Sequence, residues 1–127
     1  MKRLIGFFVA TLVLANFITY AQTAVPEHDI TIKDLKMQMK ENPHLVILDV
    51  RTPQELNGPL GKINGVINIP VQELDKRVDE LDKYKNNEIA VICRTGHRSA
   101  IGTKILINHG FKKVENVEGG MTAYRDK

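Results

Sequence analysis

Cysteine is nearly absent: Cys93 is the single one in 127 residues. One thiol excludes an internal disulfide and any cysteine-cluster zinc site. The four histidines, His28, His44, His97 and His109, include no pair at metal-ligand spacing, so no metal is expected and each reads as a surface or capping residue. A large excess of charge is missing too. The net charge is only +3, no basic block stands out, and no RNA- or DNA-binding motif is found, so no nucleic-acid partner is expected. There is no internal repeat, no low-complexity tract, and no uninterrupted apolar run of the ~20 residues that a membrane span needs.

What is present is the composition of one soluble globular domain, 43% hydrophobic and 26% charged. Residues 1–21 stand apart from it. Lys2 and Arg3 open the chain, Leu4–Ile18 is mostly apolar but broken by Gly6, Thr11 and Asn16, and Thr19-Tyr20-Ala21 puts small residues at the third-last and last positions before a cut. That is the anatomy of a secretory signal peptide. It implies an exported, for instance periplasmic, protein with no stable membrane association after cleavage near Ala21. An uncleaved N-terminal membrane anchor is the alternative. Residues 22–28 read as a linker and 29–127 as the domain.

Two continuous apolar runs, Leu45–Leu48 and Ile89–Ile92, read as buried strands, each followed by helical sequence, which argues for a parallel sheet covered on both faces. Ile30–Ile32 and Val114–Val117 add shorter strands, and Val66–Ile69 another that Pro70 stops. Thr31 with Asp34 marks a helix start over Lys33–Lys40, with Leu35, Met39 and Met37 on its apolar side. Those methionines read as packing, and no cofactor is expected. Val71, Leu74, Val78 and Leu81 predict a helix over Val71–Tyr84. A further helix runs from about His97 to His109, with Ala100, Ile101, Ile105 and Leu106 inward and Gly102 allowing close approach to the sheet. Gly119-Gly120 leads into a terminal helix through Tyr124. Strand ends share one edge in such a sheet, so Asp49 and Cys93 belong on the same rim. Arg51 and Glu55, four apart around Pro53, read as a helix ion pair rather than substrate contacts.

The stretch Cys93-Arg94-Thr95-Gly96-His97-Arg98-Ser99 carries the chemistry. Cys93 ends a strand and faces the amides that open a helix, where free N–H groups and the helix dipole favour an anion. Arg94 and Arg98 flank the sulfur and His97 adds to the field, an electropositive setting that favours the nucleophilic thiolate. A lone cysteine after an apolar run is by default a packing residue. Two arginines have no place beside a core thiol, and Gly96 lets the backbone curl around it.

Four stretches, 48–55 (LDVRTPQE), 61–70 (GKINGVINIP), 93–99 (CRTGHRS) and 119–124 (GGMTAY), resemble in content and order a single-domain rhodanese over nearly all of 29–127. The resemblance implies an α/β rhodanese-like fold, a five-stranded parallel sheet with helices on both faces. It implies that Cys93 accepts sulfur from a small anionic donor such as thiosulfate and passes it to a thiol or cyanide acceptor, with Arg94, Thr95, Gly96, His97 and Arg98 cradling the substrate and Asp49, Arg51 and Ser99 in support. Asp49 would order the loop from below, and Arg98 would either draw the donor or brace the loop. Lys62 stands where the family usually has histidine, Tyr124 where it has tryptophan, and Asn57–Leu60 lengthens a linker that borders the site. Two other classes stay open: a non-catalytic module that binds a partner or carries sulfur, and a cysteine phosphatase. Against the last, only four residues separate Cys93 from Arg98, whereas the related phosphatases have a wider cradle.

Overall fold

The computed structural model describes residues 28–126. The signal peptide read over 1–21 and all but the last residue of the linker lie outside this range. Among the described residues no helix is long and apolar enough to cross a membrane.

The elements follow in the order β1 (Asp29–Ile30), α1 (Ile32–Glu41), β2 (Val46–Asp49), α2 (Pro53–Leu56), β3 (Ile67–Asn68), α3 (Val71–Arg77), a 3₁₀ segment (Val78–Tyr84), β4 (Ile89–Ile92), α4 (His97–Asn108), β5 (Val114–Val117) and α5 (Gly120–Arg125). The sheet is parallel throughout, in the order β1-β5-β4-β2-β3. Side chains of a strand alternate between faces, and here the alternation builds two cores. Val46, Leu48, Ile89, Val91 and Cys93 point to the side covered by α3, the 3₁₀ segment and α4. Ile47, Ala90 and Ile92 point to the other, with Leu35 of α1 and Met121 of α5. The parity of β4 thus decides that Cys93 faces α4.

β2 continues outward to β3, whereas β4 continues the opposite way to β5, so the chain diverges between β2 and β4. The ends of two such strands leave a crevice, the usual ligand position in an open parallel sheet. Asp49 is in register with Ile92, and the Val50 N–H donates to the Ile92 carbonyl at 3.0 Å. Asp49 and Cys93 therefore share this rim, as the sequence predicts.

Four local expectations are corrected. Thr31 leaves the first strand to cap α1, its hydroxyl accepting the Asp34 N–H at 3.1 Å while the Asp34 carboxylate accepts the Thr31 N–H at 3.3 Å. Strand β3 shrinks to two residues, because the Val66 N–H turns back to the Ile63 carbonyl and Pro70 has no N–H to continue the ladder. The helix over Val71–Tyr84 tightens after Arg77: Val78, Leu81 and Tyr84 recur every third residue, a repeat that a 3₁₀ winding of three residues per turn keeps on the core side. Finally, Met37 and Ile101 are exposed, at 44% and 45%. On α4, Leu106 is buried and Gly102 seats against Val50 and Val91 as expected, but the buried stripe takes in Ser99 and Thr103 in place of Ile101, a rotation that brings a serine beneath Cys93.

Candidate active site

Cys93 directly follows the central strand β4 and is 1% exposed, at the floor of the loop that leads into α4. Its Sγ lies 3.2 Å from the Ser99 hydroxyl and accepts the Gly96 N–H at 3.1 Å. Burial raises the thiol pKa. The Ser99 hydroxyl and the N–H groups of Ser99, Gly96 and Thr95 outweigh it and bring the pKa below that of an ordinary thiol. The amides predicted to favour the anion are therefore in place, and Arg98 and the thiolate also attract each other. Ser99, expected from the resemblance as a supporting residue, turns out to touch the sulfur directly through its hydroxyl. Its signal was the small residues Ser99, Gly102 and Thr103, at helical spacing on the same face as Leu106.

Two glycines make the loop possible. Gly96 takes φ +105°, closed to other residues without strain, and turns its N–H onto the sulfur. Gly120, at φ +55°, lies so close beneath the loop that a Cβ there would stand 2.6 Å from the Arg94 carbonyl. That closeness lets the first amides of α5 hold the loop: Met121 N–H donates to the Cys93 carbonyl at 2.8 Å and Thr122 N–H to the Arg94 carbonyl at 3.0 Å. With these carbonyls tied backward, the loop's own N–H groups remain free for the sulfur.

The expected Arg51–Glu55 side-chain pair does not form. Arg51 precedes Thr52, the N-cap of α2, and so lies outside the helix where four-residue spacing would bring side chains together. It folds back on Asp49, with Nη2 2.7 Å and Nε 3.0 and 3.1 Å from the carboxylate, and its Nη2 also donates to the Gly61 carbonyl at 2.8 Å. Asp49, fully buried, thus anchors Arg51 and the 57–62 loop rather than reaching the cysteine loop from below. The Asn68 amide bonds the carbonyls of Asp49 and Arg51, at 2.9 and 2.8 Å, and completes this support.

Glu55 closes a capping box with Thr52 and turns its carboxylate to Arg98, which donates from Nη1 and Nη2 at 2.7 and 2.8 Å. This fork-to-fork pair, between α2 and the first turn of α4, favours the brace reading of Arg98. Arg98 lowers the Glu55 carboxyl to about 2 against partial burial, with help from the Thr52 N–H and hydroxyl. A carboxyl whose folded pKa is depressed stabilises the fold above its unfolded value and ceases to as the pH falls through the folded one. The urea midpoint should accordingly fall between pH 4.5 and about 2, and fall less in Glu55→Gln. Equal acid sensitivity in the variant would show that the pair is idle. Arg94 and Thr95 are exposed on the loop, and His97 is exposed at the start of α4.

A parallel α/β domain with a thiolate-stabilising loop at the divergence of its strands defines the class. A family profile described as "Rhodanese-like domain" matches residues 31–127, and the chain belongs to that family. It is 37% identical over 105 residues to the "Putative sulfur carrier protein YrkF" of Bacillus subtilis, covering 83% of this chain but only 54%, about half, of that protein. It is 36% identical over 96 residues to the "Putative sulfurtransferase YtwF" of the same organism, covering 76% of this chain and 88% of the relative. The crystal structure of a rhodanese-like domain protein from Staphylococcus aureus superposes with a TM-score of 0.68 at 32% identity, over 78% of this chain and 92% of that one. Sulfur carriage or transfer is the chemistry these relatives support at family level.

Proposed function

We propose that the protein is a rhodanese-type sulfurtransferase in which Cys93 carries the transferred sulfur. The observation that carries this reading is the set of hydrogen bonds on Sγ, from Gly96 and Ser99, which favours the thiolate without a neighbouring base. The thiolate attacks the outer sulfur of an anionic donor such as thiosulfate. A bond forms between the two sulfurs, the donor's sulfur–sulfur bond breaks, and its electron pair leaves with sulfite. The persulfide anion left on Cys93 is held by the loop N–H groups, as oxyanion holes hold oxygen. A thiolate or cyanide then takes the outer sulfur and restores the Cys93 thiolate. Two half-reactions imply ping-pong kinetics. Since Arg98 is paired with Glu55, Arg94 is the residue left to attract the donor.

Activity should rise with pH as Cys93 ionises, and Ser99→Ala should move that rise to higher pH, because it removes a hydrogen bond from the thiolate. The folded thiol titrates below the unfolded one. Its ionisation therefore adds stability above the unfolded pKa, and that gain is lost as the pH falls through the folded value. The pH profile of kcat/KM for thiosulfate checks this, and an unmoved acid limb in Ser99→Ala would contradict it.

We further propose that the domain, 29–127, works outside the cytoplasm after removal of residues 1–21. The basic start, the short apolar core and Thr-Tyr-Ala support this. Intact mass of the exported protein should begin after Ala21; a chain still starting at Met1 would favour the anchor.

A further inference from the structure

The cations of the domain are unevenly placed. On α3 and the 3₁₀ segment they alternate with acids: Arg77 pairs with Glu73 and Glu80, and Lys85 with Asp82. Just before β5, Lys112 and Lys113 share a hollow with Glu88 and Glu115. The outer face of α1 is different. Ile32, Lys33, Lys36, Met37 and Lys40 recur at helical spacing and line an open groove of about 510 Å³ that holds no carboxylate. Asp34 is engaged in the Thr31 cap, and Glu41, the last residue of the helix, lies outside the groove.

Two cations at this face share one aromatic ring. Lys36 Nζ lies 5.0 Å from the centre of the Tyr124 ring on α5, and the Arg125 guanidinium 5.4 Å from it. Among the described residues none of Lys33, Lys36, Lys40 and Arg125 forms an ion pair. The hydrogen bonds of Arg125 go to the neutral carbonyls of Leu60 and Lys62, so its charge stays uncompensated. On a chain whose net charge is only +3, this gathering of cations without a counter-ion suits an anionic partner. The apolar residues of the groove say which kind. A small hydrated anion gains nothing from Ile32, Met37 and the lysine stems. A helix that lies on a membrane presents protruding aromatic and leucine side chains, whereas this face offers a half-buried isoleucine and a methionine. A hollow rimmed by cations is the complement of an acidic protein segment with an apolar side chain at its centre.

We propose that the outer face of α1, with Tyr124 and Arg125 of α5, is a docking surface for a partner protein that presents an acidic segment with an apolar residue among its carboxylates. The carboxylates meet Lys33, Lys36 and Lys40, and the apolar side chain enters the groove between Ile32 and Met37. Lys33 and Lys40 stand about 10 Å apart along the helix, a span that about four residues of extended chain cover. Through α5 the surface adjoins the cysteine loop: the Met121 N–H bonds the Cys93 carbonyl, and Tyr124 follows one turn later. The proposal does not depend on which reaction Cys93 performs.

The probe is a short synthetic peptide of Asp and Glu with one central Leu, titrated into the protein while backbone amide resonances are followed. It should shift the amides of Lys33, Lys36, Met37, Lys40 and Tyr124, and the same peptide with Ser for Leu should bind about tenfold more weakly, the effect of losing an apolar side chain from the groove. Lys36→Glu with Lys40→Glu should weaken the leucine peptide about tenfold or more, whereas Lys112→Glu with Lys113→Glu, an equal change of net charge, should leave its affinity within about twofold. All four lysines are exposed, so both variants should keep the parent's urea midpoint. Equal affinity for the leucine and serine peptides, or shifts as large at Lys112 and Lys113 as on α1, overturns the docking surface, and these comparisons need no variant to fold. Equal weakening by the two double variants reduces the binding to net charge and overturns it as well. Tighter binding to vesicles of phosphatidylglycerol and phosphatidylcholine than to the peptide, lost in Lys36→Glu with Lys40→Glu, assigns the face to a membrane surface and overturns the protein partner.

Discussion

Cys93→Ser is expected to abolish sulfur transfer and leave the fold intact. Serine is nearly isosteric with cysteine, and the Gly96 N–H and Ser99 hydroxyl that meet Sγ can meet a hydroxyl as well. The stability cost should stay at about 1 kcal/mol, ordinary for a single substitution. The chemical cost is far larger, because a serine hydroxyl provides no comparable anion at neutral pH and no persulfide can form on it. Thiocyanate production from thiosulfate and cyanide should fall on the order of a thousandfold or more, the scale seen when a nucleophile is removed. Circular dichroism and the urea midpoint should stay close to those of the parent protein. Activity near the parent level in this variant would remove Cys93 from the reaction.

The largest effect on stability is expected from Asp49→Ala. Asp49 is fully buried and Arg51 is 1% exposed, so the guanidinium would lose its carboxylate with no water to replace it. The carbonyl of Gly61, and that of Glu55 at 3.4 Å, would remain as its acceptors. Removing one partner of a buried pair costs about 3–5 kcal/mol, a large share of the roughly 5–15 kcal/mol that holds a domain folded. Asp49→Ala with Arg51→Leu should recover part of the loss, since the uncompensated charge is then gone. Urea unfolding of the three proteins reads this directly. A single variant within about 1 kcal/mol of the parent would mean that water enters the site.

How much of this was legible in the sequence depends on the range of the interaction. The apolar runs Leu45–Leu48 and Ile89–Ile92 announce β2 and β4 because strands buried on both faces are mostly apolar, and the Thr31–Asp34 box starts α1 within four residues of chain. The position of Cys93 at the rim, the glycine turn and the amides around the sulfur follow from the same local signals. The partners of the long charged side chains do not. Glu55 meets Arg98 only because the sheet sets the end of β2 beside the end of β4, forty-three residues on. A Thr-x-x-Glu signal at Thr52–Glu55 was nevertheless readable, and it would have placed Arg51 outside α2 and free to turn to Asp49. On α4, hydrophobicity placed Ile105 and Leu106 on the core side but misjudged Ile101. Ile101 is exposed because the helix rotates to present Ser99 to Cys93 and Gly102 to the sheet, and close packing there outweighs the burial of one isoleucine.

The central claim is a persulfide on Cys93, and intact mass spectrometry of the reduced protein after exposure to thiosulfate tests it most directly. The spectrum should gain the mass of one sulfur atom, located on the peptide that contains Cys93, and cyanide should remove it with release of thiocyanate. A mass unchanged by thiosulfate, in protein that is folded and fully reduced at the outset, would contradict the account.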